Sequence, residues 1–182
     1  GAGIAPLLLA SALAGASLMG AEVLWFRFLR LFVLDTDSTF VVMLAVVLAG
    51  IGLGGMAAGS LCTRWARARG APHAPRTPGA ATRAAIVAAA ACGIGLVLSY
   101  ALFDPRWAGA DWYIDAGSIA ALSMGLMFPT AFASGALFTL LGQAVHEATG
   151  TDTQAVAWLT TANTVGAMLG ATARITHRFE LR

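Results

Sequence analysis

Long apolar runs separated by short polar clusters set the pattern of this chain. Residues 38–62 and 84–103 contain no charged side chain and no period-two alternation. Each is close to the length that a helix rising 1.5 Å per residue needs to cross a hydrocarbon layer of about 30 Å. Runs 4–34, 116–141 and 155–173 share this character, with a few polar interruptions. The pattern predicts an all-α protein, a polytopic transmembrane helix bundle of about five spans forming one domain over residues 1–182. Asp35, Thr36, Asp37 and Ser38 make a short acidic turn after the first span, so the first two spans are expected to form a tight hairpin. Gly50 and Gly54, then Gly55 and Gly59, stand four residues apart, and Gly166 and Gly170 repeat that spacing in the last span. Such spacing lets a neighbouring backbone approach closely. Pro129, near the middle of the fourth span, predicts a kink or a break.

Composition supports lipid as the main solvent. Hydrophobic residues make up 58% and charged residues 11% of the 182, with a mean hydropathy of +0.77, against about 25% charge in a soluble domain. The net charge of +2 is small, and the basic residues, all arginine, sit at span ends. They do not line one face as phosphate neutralisation needs, so nucleic acid is not expected as a partner, and a nucleic-acid or lipid-headgroup patch on loop 64–83 is only the alternative reading of its arginines. The abundance of Ala and Gly beside arginine without lysine fits a GC-rich, bacterial coding bias. Arg64, Arg67, Arg69, Arg76 and Arg83 fall in one connection, residues 64–83, with no acid among them, and Pro72, Pro75 and Pro78 keep it from being helical. The positive-inside rule makes this loop and the amino terminus cytoplasmic, in a bacterial inner membrane. Asp104, Trp107, Asp111, Trp112, Tyr113 and Asp115 then belong at the outer interface. Five crossings leave the tail outside, although Arg174, Arg178 and Arg182 favour the inside.

Candidate chemistry is sparse. Glu22, Arg27 and Arg30 lie in the second half of the first span, and each charge at mid-bilayer costs about 3 kcal/mol unless it is paired, interfacial or faces other helices. Trp25 beside them suits an interfacial anchor. Glu22, Arg27, Arg30 and Asn163 form the candidate intramembrane polar site, with Asn163 expected to donate an interhelical hydrogen bond. Cys62 and Cys92 lie in apolar runs and are expected to be buried and inert. His73, His146 and His177 have no second ligand at helical spacing, so no metal site is expected. Residues 7–21 are apolar but lack the basic leader of a signal peptide. Ser134-Gly135 in a span with His146 following invites comparison with intramembrane serine proteases, but Phe132 stands where such enzymes want glycine. No catalytic, cofactor-binding or metal-binding residue is assigned.

Four patches, in order, resemble the integral-membrane part of bacterial spermidine synthase-like proteins: Glu22-Val-Leu-Trp-Phe-Arg27, Gly50-Ile-Gly-Leu-Gly-Gly-Met-Ala-Ala-Gly-Ser60, Phe128-Pro-Thr-Ala-Phe-Ala-Ser-Gly-Ala-Leu-Phe138 and Thr161-Ala-Asn-Thr-Val-Gly-Ala-Met-Leu-Gly170. That family tends to carry tyrosine where this chain has Thr160 and proline where it has Thr139. The resemblance implies a membrane domain of several helices that anchors or supplies a soluble aminopropyltransferase domain. It implies polyamine as a partner and decarboxylated S-adenosylmethionine as the co-substrate of that other domain. No strand, glycine-rich turn and soluble helix follow one another here, so this chain is expected to be non-catalytic, a membrane piece of a longer protein whose partners are lipid and the soluble domain. The glycine-rich second patch with Arg64 also resembles the second and third helices of major facilitator transporters. Cys62 and Thr63 stand where those carry an aspartate. The alternative function is therefore part of a transporter of small cations or metabolites.

Overall fold

The computed structural model describes residues 4–29, 37–68, 80–102, 104 and 116–179. Among these the chain is all-helical, with α1 (Ile4–Leu29), α2 (Asp37–Ala68), α3 (Ala80–Ala101), α4 (Ala116–Thr149) and α5 (Asp152–Phe179). Three helical stretches, Ile4–Leu29, Thr39–Arg64 and Gly117–Thr149, are long and apolar enough to cross a membrane. The apolar part of α3, Arg83–Ser99, is shorter, and α5 is diluted by Thr160, Thr161, Asn163 and Thr164. Arg30, Asp35, Arg69, Arg76, His73, residues 105–115 and Arg182 fall outside the described residues.

α4 is the centre of the bundle, and it packs on each of the other four helices. Its apolar window is 44% buried, against 17% for α1 and 28% for α2. One core cluster joins Trp25 and Leu29 of α1 and Met43 and Val47 of α2 to Ile119, Leu122 and Leu126 of α4. A second, towards the other end of α4, gathers Ala85, Leu137, Leu141, Val145, Ala155 and Leu159. The order of these contacts fixes direction. Ala85 lies with Leu137 and Leu141, and Cys92 with Thr130, so α3 and α4 are antiparallel. Gly50 meets Ala131 while Gly55 meets Thr139, and Ser11 meets Leu159 while Ala16 meets Gly170, so α2 runs parallel to α4 and α1 parallel to α5. α1, α3 and α5 therefore point one way, and α2 and α4 the other.

α1 and α2 run in opposite directions, as a hairpin requires, but the glycines of α2 do not join them. α1 and α2 touch edge-on through the Phe26 and Phe40 rings, 5.8 Å apart. The glycines of α2 serve α4 instead: a Cβ on Gly50 would stand 2.8 Å from the Ala131 Cβ, and one on Gly54 would land on the Phe132 carbonyl oxygen. From the opposite side, Gly135 of α4 is pressed against the Ile51 carbonyl. A Cβ on Gly55 would stand 3.2 Å from the Thr139 hydroxyl, whereas one on Gly59 would meet nothing within 4 Å among the described residues. Gly166 and Gly170 admit Ala12 and Ala16 of α1 in the same fashion. Short connections make sequential helices neighbours, but glycine pairs at four-residue spacing select whichever helix brings its own small residues, and here these are the parallel partners.

Helix ends also differ from the expected boundaries. Residues 142–154 were expected to form a polar connection, yet α4 continues to Thr149 and α5 begins at Asp152. Gly150, at φ 73°, ends α4 with its N–H donating to the His146 carbonyl at 2.8 Å, a left-handed cap that glycine adopts without a Cβ penalty. Asp152 then sits in the first turn of α5, where the helix dipole favours an acid. α4 runs helical and unbroken through Pro129, whose ring lies on the exposed side. The missing N–H leaves the Gly125 carbonyl without its helical partner.

Candidate functional site

Among the described residues, the candidate polar side chains Glu22, Arg27 and Asn163 do not converge. On α1, Ser11, Gly15, Leu18, Glu22, Trp25 and Leu29 follow one another at alternating steps of four and three, which places all six on one seam. Ser11, Gly15, Trp25 and Leu29 are buried, and Leu18 and Glu22 half-buried. Glu22 has no ion-pair or hydrogen-bond partner among the described residues. Arg27 is exposed and lies about 140° around the helix from Glu22, so the two do not pair across a turn. Asn163 packs where α5 crosses Gly15, its Oδ1 placed 2.8 Å from where a Cβ would stand. That is about 10 Å along α1 from Glu22, seven residues at 1.5 Å each. The polar link between α1 and α5 is instead the Ser11 hydroxyl, which donates to the Leu159 carbonyl at 3.1 Å. Ser11 was legible only through its register with Gly15 and Leu18.

Two further expectations are corrected. Trp25 is no interfacial anchor, since it is 0% exposed inside the first core cluster. Cys62 and Cys92 are free but half-buried. His146 and Ser134, twelve residues apart on α4, are separated by about 18 Å along the axis and cannot act as a catalytic pair. His146 Nδ1 approaches Asp152 Oδ1 at 2.9 Å across the α4–α5 turn, as an ion-pair approach and not an aligned hydrogen bond. No three His, Cys, Asp or Glu residues converge among the described residues.

The structure does form a cleft of about 410 Å³ where α1 and α3 stand apart over α4. Leu13, Leu18, Leu96 and Leu137 supply its apolar walls, and Ser17, Cys92, Thr130 and Ser134 its polar atoms. Small residues open it: Ala10, Ala14, Ala89 and Gly93 leave the space that larger side chains would fill. The Cys92 thiol points at the Thr130 carbonyl, 3.7 Å away. The Thr130 hydroxyl has no partner, although the residue is only 2% exposed. Ser123, two turns earlier on the same face of α4, and Trp25 Nε1 are likewise buried without a hydrogen-bond partner. The lining is mainly apolar and carries no charged side chain, and the Thr130 oxygen is enclosed.

No family model, no curated protein and no solved structure matches this chain.

Proposed function

We propose that this chain is a non-catalytic membrane domain that crosses a bacterial inner membrane five times. In this reading it anchors or supplies a soluble aminopropyltransferase domain, as its resemblance to spermidine synthase-like proteins implies. The observation that carries the membrane part is the belt of exposed apolar side chains. Leu9, Val41, Leu48, Met56, Ile86, Val97, Val156 and Met168 are each at least 59% exposed, and they are spread over four helices. In water such a belt drives aggregation, whereas in lipid it has no reason to be covered. The α3 surface holds Ile86, Val87, Ile94, Val97 and Leu98 with no charge between Arg83 and Ser99, which favours a crossing despite its length. The alternating helix directions support five crossings, and the arginines of residues 64–83 favour a cytoplasmic side for that loop and the amino terminus.

Topology follows from single cysteines in a Cys62→Ser, Cys92→Ser background. Arg64→Cys and Asp152→Cys should react with a membrane-impermeant maleimide only from the cytoplasmic side, and Asp104→Cys only from outside. Labelling of Arg64→Cys and Asp152→Cys from opposite sides, or of Asp104→Cys from the same side as either, contradicts five crossings, whereas all three sides reversed contradicts only the orientation. The anchor role predicts that a soluble reporter fused after residue 182 is carried to the membrane, and that the chain in liposomes takes up no labelled putrescine.

A second reading, part of a major-facilitator-like carrier, is favoured by one observation: Glu22 is a carboxyl half-buried on the interior seam and unpartnered among the described residues. Intramembrane acids of this kind commonly line ion paths. Putrescine uptake that disappears in Glu22→Gln would replace the anchor reading with this one.

A further inference from the structure

We propose that the outward face of α5 is an interface to a second copy of this chain, closed by threonine hydroxyls that bond across a twofold axis. The proposal rests on the five-crossing reading above. α5 buries Ala155, Leu159 and Gly166 against α1 and α4. Ala157, Thr161 and Thr164, at steps of four and three, lie on the opposite side of the helix, and all three are exposed, with Thr160 exposed beside them. That face is the wrong one for lipid. The other helices turn aliphatic side chains outward, such as Leu13 of α1, Leu48 of α2 and Ile94 and Val97 of α3. α5 carries Val156, Val165 and Leu169 on its flanks, but hydroxyls along its outermost line until Met168.

Thr161 and Thr164 stand nine and twelve residues beyond Asp152, about 14 Å and 18 Å along the axis, near the middle of a hydrocarbon layer of about 30 Å. A helix can return such a hydroxyl to a carbonyl one turn back, as Ser60, Thr63, Thr139 and Thr172 do here. Thr160, Thr161 and Thr164 make no such bond among the described residues. Acyl tails offer them nothing, and unbonded polar groups are costly at that depth. The chemistry of the patch selects its occupant. Across a twofold axis a group near the axis meets its own copy. Charges would repel there, whereas a hydroxyl both donates and accepts, and no charged residue stands between Asp152 and Arg174. Ala157 and Thr161, like Thr160 and Thr164, are small residues four apart, the spacing that lets two membrane helices approach closely. A second α5 therefore supplies both the shape and the hydrogen-bonding groups that this face calls for.

The test uses the full chain in phosphatidylcholine liposomes, in the Cys62→Ser, Cys92→Ser background. Thr161→Cys should form a disulfide-linked dimer on oxidation with copper phenanthroline, whereas Ile94→Cys, on the aliphatic face of α3, should not. With donor or acceptor dye on Arg64→Cys, resonance energy transfer followed on dilution with lipid gives the dissociation constant. Thr161→Val combined with Thr164→Val keeps the shape and should raise that constant about fivefold for each hydrogen bond lost, while Thr161→Ser with Thr164→Ser should retain it. Cross-linking of Thr161→Cys no stronger than that of Ile94→Cys overturns the proposal, because the face is then covered by something other than its own copy. An unchanged constant in the valine variant also overturns it, since the copies then meet without these hydroxyls. Reaction of Thr161→Cys with a water-soluble maleimide, read before any oxidation, is a different failure: α5 then lies in water and the five-crossing reading itself is wrong.

Discussion

Gly54→Ala should lower the unfolding midpoint of the detergent-solubilised protein, although alanine is the better helix former. Gly52→Ala, two residues away, should leave it unchanged or raise it. Alanine gains up to about 1 kcal/mol over glycine in a helix. At Gly52 nothing lies within 4 Å of the added methyl, so that gain stands alone. At Gly54 the methyl meets the Phe132 carbonyl, a backbone atom that no rotamer change can move. Overpacking of this kind costs about 1–3 kcal/mol, which exceeds the propensity gain. Gly54→Leu should yield no folded protein. The same contrast applies at the α1–α5 contact, where Gly166 is closed by the Ala12 carbonyl. Equal midpoints for Gly52→Ala and Gly54→Ala would mean that α2 and α4 do not meet at this register.

Trp25 gives the second large effect. Trp25→Ala should destabilise by about 3–5 kcal/mol, the usual cost of emptying a buried aromatic position. Trp25→Phe should fall within about 1 kcal/mol of the parent. The indole is fully enclosed in the cluster that α1 forms with α2 and α4, yet its N–H has no partner among the described residues. Phenylalanine gives up part of the packing volume but also removes a buried donor that nothing satisfies, and the two effects oppose each other. Thermal unfolding of both variants measures the balance. A Phe variant as unstable as the Ala variant would show that the N–H has a partner after all.

The helices were legible in the sequence because their apolar runs are long and nearly uncharged, whereas their partners were not. α1 is apolar on all sides, so no polar face tells which way Trp25 points. An aromatic residue between Glu22 and Arg27 resembles an interfacial belt. Only the four-and-three spacing from Ser11 to Leu29, seen against α4, places it in the core. The glycine pairs marked faces of close approach but not what approaches. Gly50 and Gly54 serve α4 and not the preceding helix, and Gly59 serves neither. Of the polar candidates, Glu22 and Asn163 do lie on α1-facing or bundle-facing surfaces, yet at different depths. The cleft left almost no trace in the sequence, since it is made where α1 and α3 fail to meet and its walls are ordinary Ala, Gly and Leu.

The central claim is that lipid surrounds these helices, and washing membranes that contain the chain with alkaline carbonate tests it most directly. The chain should remain entirely with the sedimented bilayer and pass into solution only when detergent is added. Release by carbonate alone, followed by a folded and monodisperse species in plain buffer, would contradict the membrane bundle and every proposal that rests on it.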